Sequence, residues 1–187
     1  EADDADRYQC IFAKNEGAVV LPAAGANFSR ELMKRLEIRG AEFAYVTLHA
    51  SLGMFREIDV EGLTKHKADS EQMDVSEEAS VKFNAASARE NKICAVGTTT
   101  LRALETASTA NGEIKPFEGW TNRFIFPPYQ FTTANCLISN FQLPYSTMLM
   151  NQAAFGGYDE VMNAYNIALK EGYRFGFYGD ALLILPD

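Results

Sequence analysis

The sequence predicts an α/β fold, a mostly parallel sheet with helices on both faces in three layers. Three observations point there. Apolar runs of strand length alternate with segments of helical period. Small or polar loops follow those runs and open the helices. The composition is globular, 47% hydrophobic and 22% charged over 187 residues, and long enough to bury a sizeable core.

The elements follow in order. Ser29 is a natural N-cap for a helix with Leu32, Met33 and Leu36 on one stripe and Gly40 as its stop. Residues 43–48 (FAYVTL) read as a buried strand, and residues 50–75, mixed in charge and without a clear period, read as loop. A second helix starts near Ser76, with Glu77 and Glu78 favourable in its first turn and Ala79, Phe83 and Ala86 on one face. Residues 93–96 form a short apolar strand, after which Gly97 leads into a helix through Leu101 and Leu104. Residues 108–119 read as loop, and RFIF (123–126) and CLIS (136–139) as strands. Ser146 caps a helix ending at Gly156 and Gly157. Asp159 caps another, with Val161, Ala164, Tyr165, Ala168 and Leu169 inward and Gly172 closing it; a strand around 182–185 follows.

The formal net charge is −8, which disfavours non-specific, charge-driven nucleic-acid binding. Glu1, Asp3, Asp4 and Asp6 carry much of that acidity, so it is partly a local feature. Residues 124–158 contain no charged side chain and no histidine. Pro127, Pro128, Gln130, Asn135, Asn140, Gln142 and Pro144 interrupt them, so they do not read as a membrane span. They read as core and, in part, as the wall of a pocket. Cys10, Cys94 and Cys136 are odd in number and widely spaced, which fits reduced thiols in a cytoplasm and argues against a disulfide framework or a zinc knuckle. With only His49 and His66, a histidine-rich metal site is not expected.

Several loops carry candidate chemistry. In ICAVGTTTLRALE (93–105), Gly97 frees the backbone after a strand, and Thr98, Thr99 and Thr100 set hydroxyls beside unpaired helix N–H groups, a place that suits a carboxylate or phosphate. Arg102 and Glu105 lie three apart on that helix and can also be read as an ordinary surface pair. In VTLHASLGMFR (46–56), His49 ends a strand ahead of Gly53, a position for a general base. In ISNFQLPYSTMLM (138–150), Asn140 and Gln142 can hydrogen-bond a base edge while Phe141 and Tyr145 stack. AAGANFS (23–29) places Gly25 and Asn27 before a helix start, and FYGDALLI (177–184) places Asp180 after a glycine. Neither a G-x-G-x-x-G nor a Walker pattern is present, which disfavours a generic methyltransferase and the common nucleotide folds.

Taken in order, DRYQCIFAKNEGAV (6–19), AAGANF, FAYVTLHASLGMFR, AVGTTTLRALE, GWTNRFIFPPYQF, SNFQLPYSTMLM, AFGGY and YRFGFYGDALLI resemble the S-adenosylmethionine:tRNA ribosyltransferase-isomerase family of queuosine biosynthesis, over nearly the whole chain. The resemblance implies transfer and isomerisation of the ribosyl part of S-adenosylmethionine onto a 7-aminomethyl-7-deazaguanine base at the tRNA wobble position. The product is epoxyqueuosine, with adenine and methionine released. It implies S-adenosylmethionine as a consumed cosubstrate, tRNA as partner, no metal, no membrane and a cytoplasmic setting. It also implies that the chain is a C-terminal segment of the α/β catalytic domain, a small β-barrel domain belonging to an N-terminal part outside it.

For the site, the resemblance points to His49 as the base that takes a proton beside the sulfonium, with Arg102 and Asp180 as further catalytic residues. Gly25, Asn27, Phe28, Gly53, Arg56, Thr98, Thr99, Glu105, Asn140, Phe141, Gln142, Ser146, Thr147 and Tyr178 are the substrate-binding candidates. Thr98, Thr99 and Arg102 are assigned to the methionine carboxylate or ribose, Asn140 and Phe141 to adenine or deazaguanine. Arg30, Lys34, Arg35, Lys65 and Lys67 are candidate phosphate contacts. Three family histidines are replaced, by Asn27, Gln142 and Asp69, and Met54 stands in the family's G-L-G-T-F loop. Asn and Gln keep hydrogen-bonding capacity but do not titrate. The second expectation is therefore a repurposed homologue that binds S-adenosylmethionine, a nucleoside or RNA without the full reaction.

Overall fold

The computed structural model describes residue 4 and residues 8–185. Glu1, Asp3 and Asp6, and the start of the DRYQC motif, lie outside the described residues.

The predicted caps organise the helices. After a one-turn helix α1 (Ala23–Ala26), α2 (Arg30–Ile38) is capped by Ser29, whose Oγ accepts from the Leu32 N–H at 3.1 Å. Ser76 caps α3 (Glu77–Ala88) through the Ala79 N–H, and Ser146 caps α5 (Thr147–Gly156) through the Leu149 N–H, both at 3.2 Å. Each hydroxyl satisfies a backbone donor that the helix cannot. Helix α4 (Thr98–Ala107) starts at Gly97, which has φ 97°, and α6 (Tyr158–Lys170) at Gly157, which has φ 82°. Asp159 is thus a first-turn acid of α6 rather than its cap.

Two three-stranded sheets are present among the described residues. The first orders β1 (Thr47–Leu48), β2 (Glu71–Val75) and β4 (Phe117–Thr121), all antiparallel. The second orders β3 (Cys94–Val96), β5 (Cys136–Asn140) and β6 (Ala181–Ile184); β3 and β5 are parallel, β5 and β6 antiparallel. The α/β class is as expected, but the parallel pairing is confined to β3–β5. The reason is that the crossovers run between sheets: α3 carries the chain from β2 in the first to β3 in the second, and α4 carries it back to β4. Helix α4 touches strands of both sheets and is the seam between them.

The core follows this layout. Met73, Val75, Phe83, Ala103, Leu104 and Ile114 pack between the first sheet, α3 and α4. Ala95, Leu101, Ala134 and Leu137 pack where α4 meets the second sheet. Phe141, Leu149, Val161, Tyr165 and Ala168 form a third cluster under α5 and α6. Leu169, expected inward, is 63% exposed. Residues 123–126 form no strand, although Ile125 is fully buried, and residues 43–48 pair only at Thr47 and Leu48. Residues 50–75, expected as loop, contain two 3-10 turns (Leu52–Phe55 and Leu63–Lys65) and strand β2.

Candidate active site

Strand β2 alternates sides, so Glu71, Met73 and Val75 all point inward. Glu71 is therefore an acid on a buried face, 4% exposed. It is met by Arg102, which stands on α4 between the fully buried Leu101 and Ala103. Arg102 donates to Glu71 Oε2 at 2.7 Å and, through Nε, to the Arg123 carbonyl at 3.0 Å. The other Glu71 oxygen accepts from the Ser51 N–H at 2.7 Å. This pair borders a shallow, solvent-open cleft whose walls include Gly53, Arg56, His66, Lys67, Asp69, Arg123, Thr147 and Asn151. Four of the residues around it are cations, Arg56, Lys67, Arg102 and Arg123, against two acids, Asp69 and Glu71. The cleft is cationic in a chain that is acidic as a whole.

A second open cleft adjoins it and is mainly apolar, with Phe55, Leu143, Pro144, Tyr145, Met148 and Phe177 on its walls. Gln142 and Ser146 line it too, and Met54 and Arg56 line both clefts. The 3-10 turn at Leu52–Phe55 is the dividing wall. It lies so close to Asp69 that a Cβ at Gly53 would overlap the Asp69 carboxylate, and that carboxylate accepts from Arg56 at 3.0 Å. Tyr145 is 67% exposed and has φ 58°, a left-handed backbone that non-glycine residues rarely adopt.

The sequence candidates sort into three groups. Gly53, Arg56, Arg102 and Thr147 line the cationic cleft, and Arg56, Gln142 and Ser146 the apolar one. A second group gathers at the carboxyl ends of β3 and β5. There Gly97 donates its N–H to the Ile138 carbonyl at 2.8 Å, and α1 packs on β5. Thr98 and Thr99 open α4 at this point, and Asn27 donates to Asn140 Oδ1 at 2.8 Å. Asn140 in turn donates to the Gly179 carbonyl at 2.9 Å. Gly25 is buried with the Phe12 ring 3.1 Å from where its Cβ would be, and Phe28 packs on the same ring. Thr98 and Thr99 do not line the cleft that holds Arg102.

The third group is committed elsewhere and corrects its expected role. Phe141 is 5% exposed and enclosed by Tyr165, Tyr173 and Phe175, so it cannot stack on a ligand. Glu105 does not pair with Arg102. Oε1 takes the Thr132 N–H, the Thr133 N–H and the Thr133 hydroxyl, and Oε2 takes the Tyr129 hydroxyl. Asp180 accepts from the Arg174 N–H and guanidinium, both at 2.8 Å, and these bonds hold its carboxyl below the usual carboxylate range. It closes a turn. Tyr178 donates to Asp4 at 2.8 Å and packs edge-on against Tyr8. His49 lies outside both clefts with its ring over Gly17, where a Cβ would sit 2.7 Å from Nδ1.

Of the replaced histidines, Asn27 holds Asn140 and Asp69 holds Arg56. Gln142 donates to the Asn140 carbonyl at 3.0 Å within a buried network of Ser139, Gln152 and Tyr165. Of the phosphate candidates, Lys67 borders the cationic cleft, whereas Arg30, Lys34 and Arg35 are exposed on α2. The sequence reading missed Glu71, Arg123 and Asn151 as cleft residues. Among the described residues no group of three or more His, Cys, Asp or Glu side chains is placed to hold a metal ion, and no helix is long and apolar enough to cross a membrane.

Fold and clefts together define an α/β protein with a polar, cationic cleft beside an apolar one. Residues 1–184 match the family of queuosine biosynthesis proteins, and the chain belongs to that family. A curated relative from Bacteroides fragilis, named S-adenosylmethionine:tRNA ribosyltransferase-isomerase, is 65% identical over 185 residues, 99% of this chain and 53% of its own length. One of the same name from Flavobacterium psychrophilum is 52% identical over 183 residues, 98% of this chain and 52% of its own. The chain thus spans about half the length of these curated relatives. A crystal structure of an S-adenosylmethionine tRNA ribosyltransferase from Thermotoga maritima superimposes with a TM-score of 0.72 at 41% identity, over 87% of this chain and 51% of that one.

Proposed function

We propose that the chain is the part of an S-adenosylmethionine:tRNA ribosyltransferase-isomerase that binds the sulfonium cosubstrate. The reaction transfers and isomerises its ribosyl group onto the 7-aminomethyl-7-deazaguanine base of tRNA, giving epoxyqueuosine, adenine and methionine. The observation that carries this reading is the joined pair of clefts. S-adenosylmethionine has a charged amino-acid end and a flat, apolar-faced adenine, and the two clefts offer one environment for each across the wall of Met54 and Arg56. Lys67 and Arg123 suit the carboxylate, and Phe55, Phe177 and Tyr145 suit a base. The relatives' shared name supports the same reading. In it the chain is the C-terminal segment of the α/β catalytic domain, the relatives' other half supplying the β-barrel, and the reaction takes place in the cytoplasm.

Bound S-adenosylmethionine supplies an acidic C–H beside its sulfonium. The histidine placed to accept a proton in the cleft is His66, which lines it and lies 4.8 Å from the Phe124 ring, rather than His49. The test is adenine release on mixing the protein with S-adenosylmethionine and tRNA bearing the deazaguanine base. Release is expected from the wild type and from His49→Ala, and a loss of at least ~100-fold from His66→Ala, the usual scale of a proton-transfer group. Binding of both substrates without adenine release would overturn the enzymatic reading in favour of a repurposed homologue.

A further inference from the structure

Asn151 is the unexplained polar group of the cationic cleft. It stands on α5, is 1% exposed, and lines the cleft beside Thr147. Its Nδ2 donates to the Thr147 carbonyl at 2.6 Å, one helical turn back. That bond fixes the amide, because the flipped orientation would press two oxygens together. The remaining atom, Oδ1, is buried and has no hydrogen-bond partner among the described residues. Two other buried amides nearby are engaged on both sides, Asn140 by Asn27 and Gly179, and Gln152 by Ser139, the Asn140 carbonyl and Tyr165. A native protein rarely leaves such an acceptor bare without a use for it.

We infer that Asn151 is a ligand-recognition residue: its Oδ1 accepts from the α-ammonium of an amino-acid head group whose carboxylate lies on the neighbouring cations. This rests on the proposed cosubstrate and assigns its polar end a residue. The charge pattern selects the head group. Arg56 and Arg102 are held by Asp69 and Glu71, whereas Lys67 makes no ion pair among the described residues and Arg123 spends its guanidinium on the neutral Tyr129 hydroxyl. An anion is therefore favoured on the Lys67 and Arg123 side. A donor is required at Asn151. An α-amino acid presents both, one bond either side of a single carbon.

The test substitutes Asn151→Leu, which keeps the volume and removes the acceptor. Binding of S-adenosylmethionine and of its analogue lacking the α-amino group is measured by calorimetry, with thermal melting of each protein alongside. The wild type is expected to bind the analogue about tenfold more weakly than S-adenosylmethionine, the scale of leaving one buried acceptor unpaired. Asn151→Leu is expected to bind both equally weakly and to melt above the wild type, because it removes an unsatisfied polar atom. Unchanged affinity for S-adenosylmethionine, or a loss confined to tRNA binding, overturns the inference while leaving the cosubstrate in place. A melting point below the wild type with both affinities reduced in parallel overturns it in favour of a purely structural asparagine. A wild type that binds tRNA but no S-adenosylmethionine overturns the functional reading itself.

Discussion

Glu105 illustrates how a single carboxylate can organise chain it does not belong to. It lies on α4, 3% exposed, and draws together two backbone N–H groups and two hydroxyls from residues 129–133. Four donors compensate a buried charge that would otherwise be expensive. Its charge also acts on Tyr129, whose phenol is pushed up first by burial and then by Glu105, so the hydroxyl stays protonated as a donor. Glu105→Ala leaves those donors facing a void and is expected to cost about 3 kcal/mol. Glu105→Gln keeps one oxygen and the shape and is expected to cost about 1 kcal/mol, since the Tyr129 hydroxyl can turn to accept from the new amide. Urea denaturation of the two variants checks the order. Equal and small losses would show that the bonds to residues 129–133 carry little of the stability.

At the scale of elements, the turn between α6 and β6 is a tight joint. Gly176 and Gly179 are bonded N–H to carbonyl at 3.0 Å, Asp180 returns its N–H to the Arg174 carbonyl at 3.0 Å, and Asn140 of β5 reaches the Gly179 carbonyl. A Cβ at Gly179 would lie 2.8 Å from the Arg174 and Gly176 carbonyl oxygens, so backbone must move. Gly179→Ala is expected to cost about 2–3 kcal/mol, whereas Gly62→Ala, with nothing nearer than 4.0 Å, should change stability by less than about 0.5 kcal/mol. Chemical denaturation of the pair measures it, and a cheap Gly179→Ala would mean that this turn yields. Such joints explain what could be read from sequence. The caps at Ser29, Ser76 and Ser146 were legible because a hydroxyl before a helical stripe acts within one turn. Strand β2 was not, because Glu71 takes an inward place where an apolar residue would reveal the alternation; the site breaks the pattern that would have shown the strand. RFIF looks like a strand, but Phe124 is spent on His66 and Phe126, and Pro127 and Pro128 follow at once. The candidate loops were found from their residue types. Which of them share a cleft depended on α4 bridging two sheets, a long-range fact that no local pattern carries.

For the whole molecule, the question is how an acidic chain would meet an RNA. The net charge of −8 argues against a broad phosphate-binding face, and the cations of α2 are interspersed with Glu31 and Glu37, with Lys34 drawn to Glu37 at 3.6 Å. Cations outnumber acids in the cleft of Arg56, Lys67, Arg102 and Arg123, but two of those four are already paired. If the chain engages tRNA as proposed, it does so by presenting a base to the clefts, with few phosphates neutralised. Counterion release then gives a shallow salt dependence: with two to four phosphate contacts, the slope of log K against log salt is expected between about −1 and −3. Fluorescence anisotropy of a labelled anticodon stem-loop, titrated at several salt concentrations, measures this slope for the chain. A slope steeper than about −5 would require a basic surface that these residues do not supply, and would move RNA recognition away from the clefts. A shallow slope that survives competition by unrelated RNA would instead place the selectivity in contacts to the base at the mouth of the clefts, where the Tyr145 side chain is exposed.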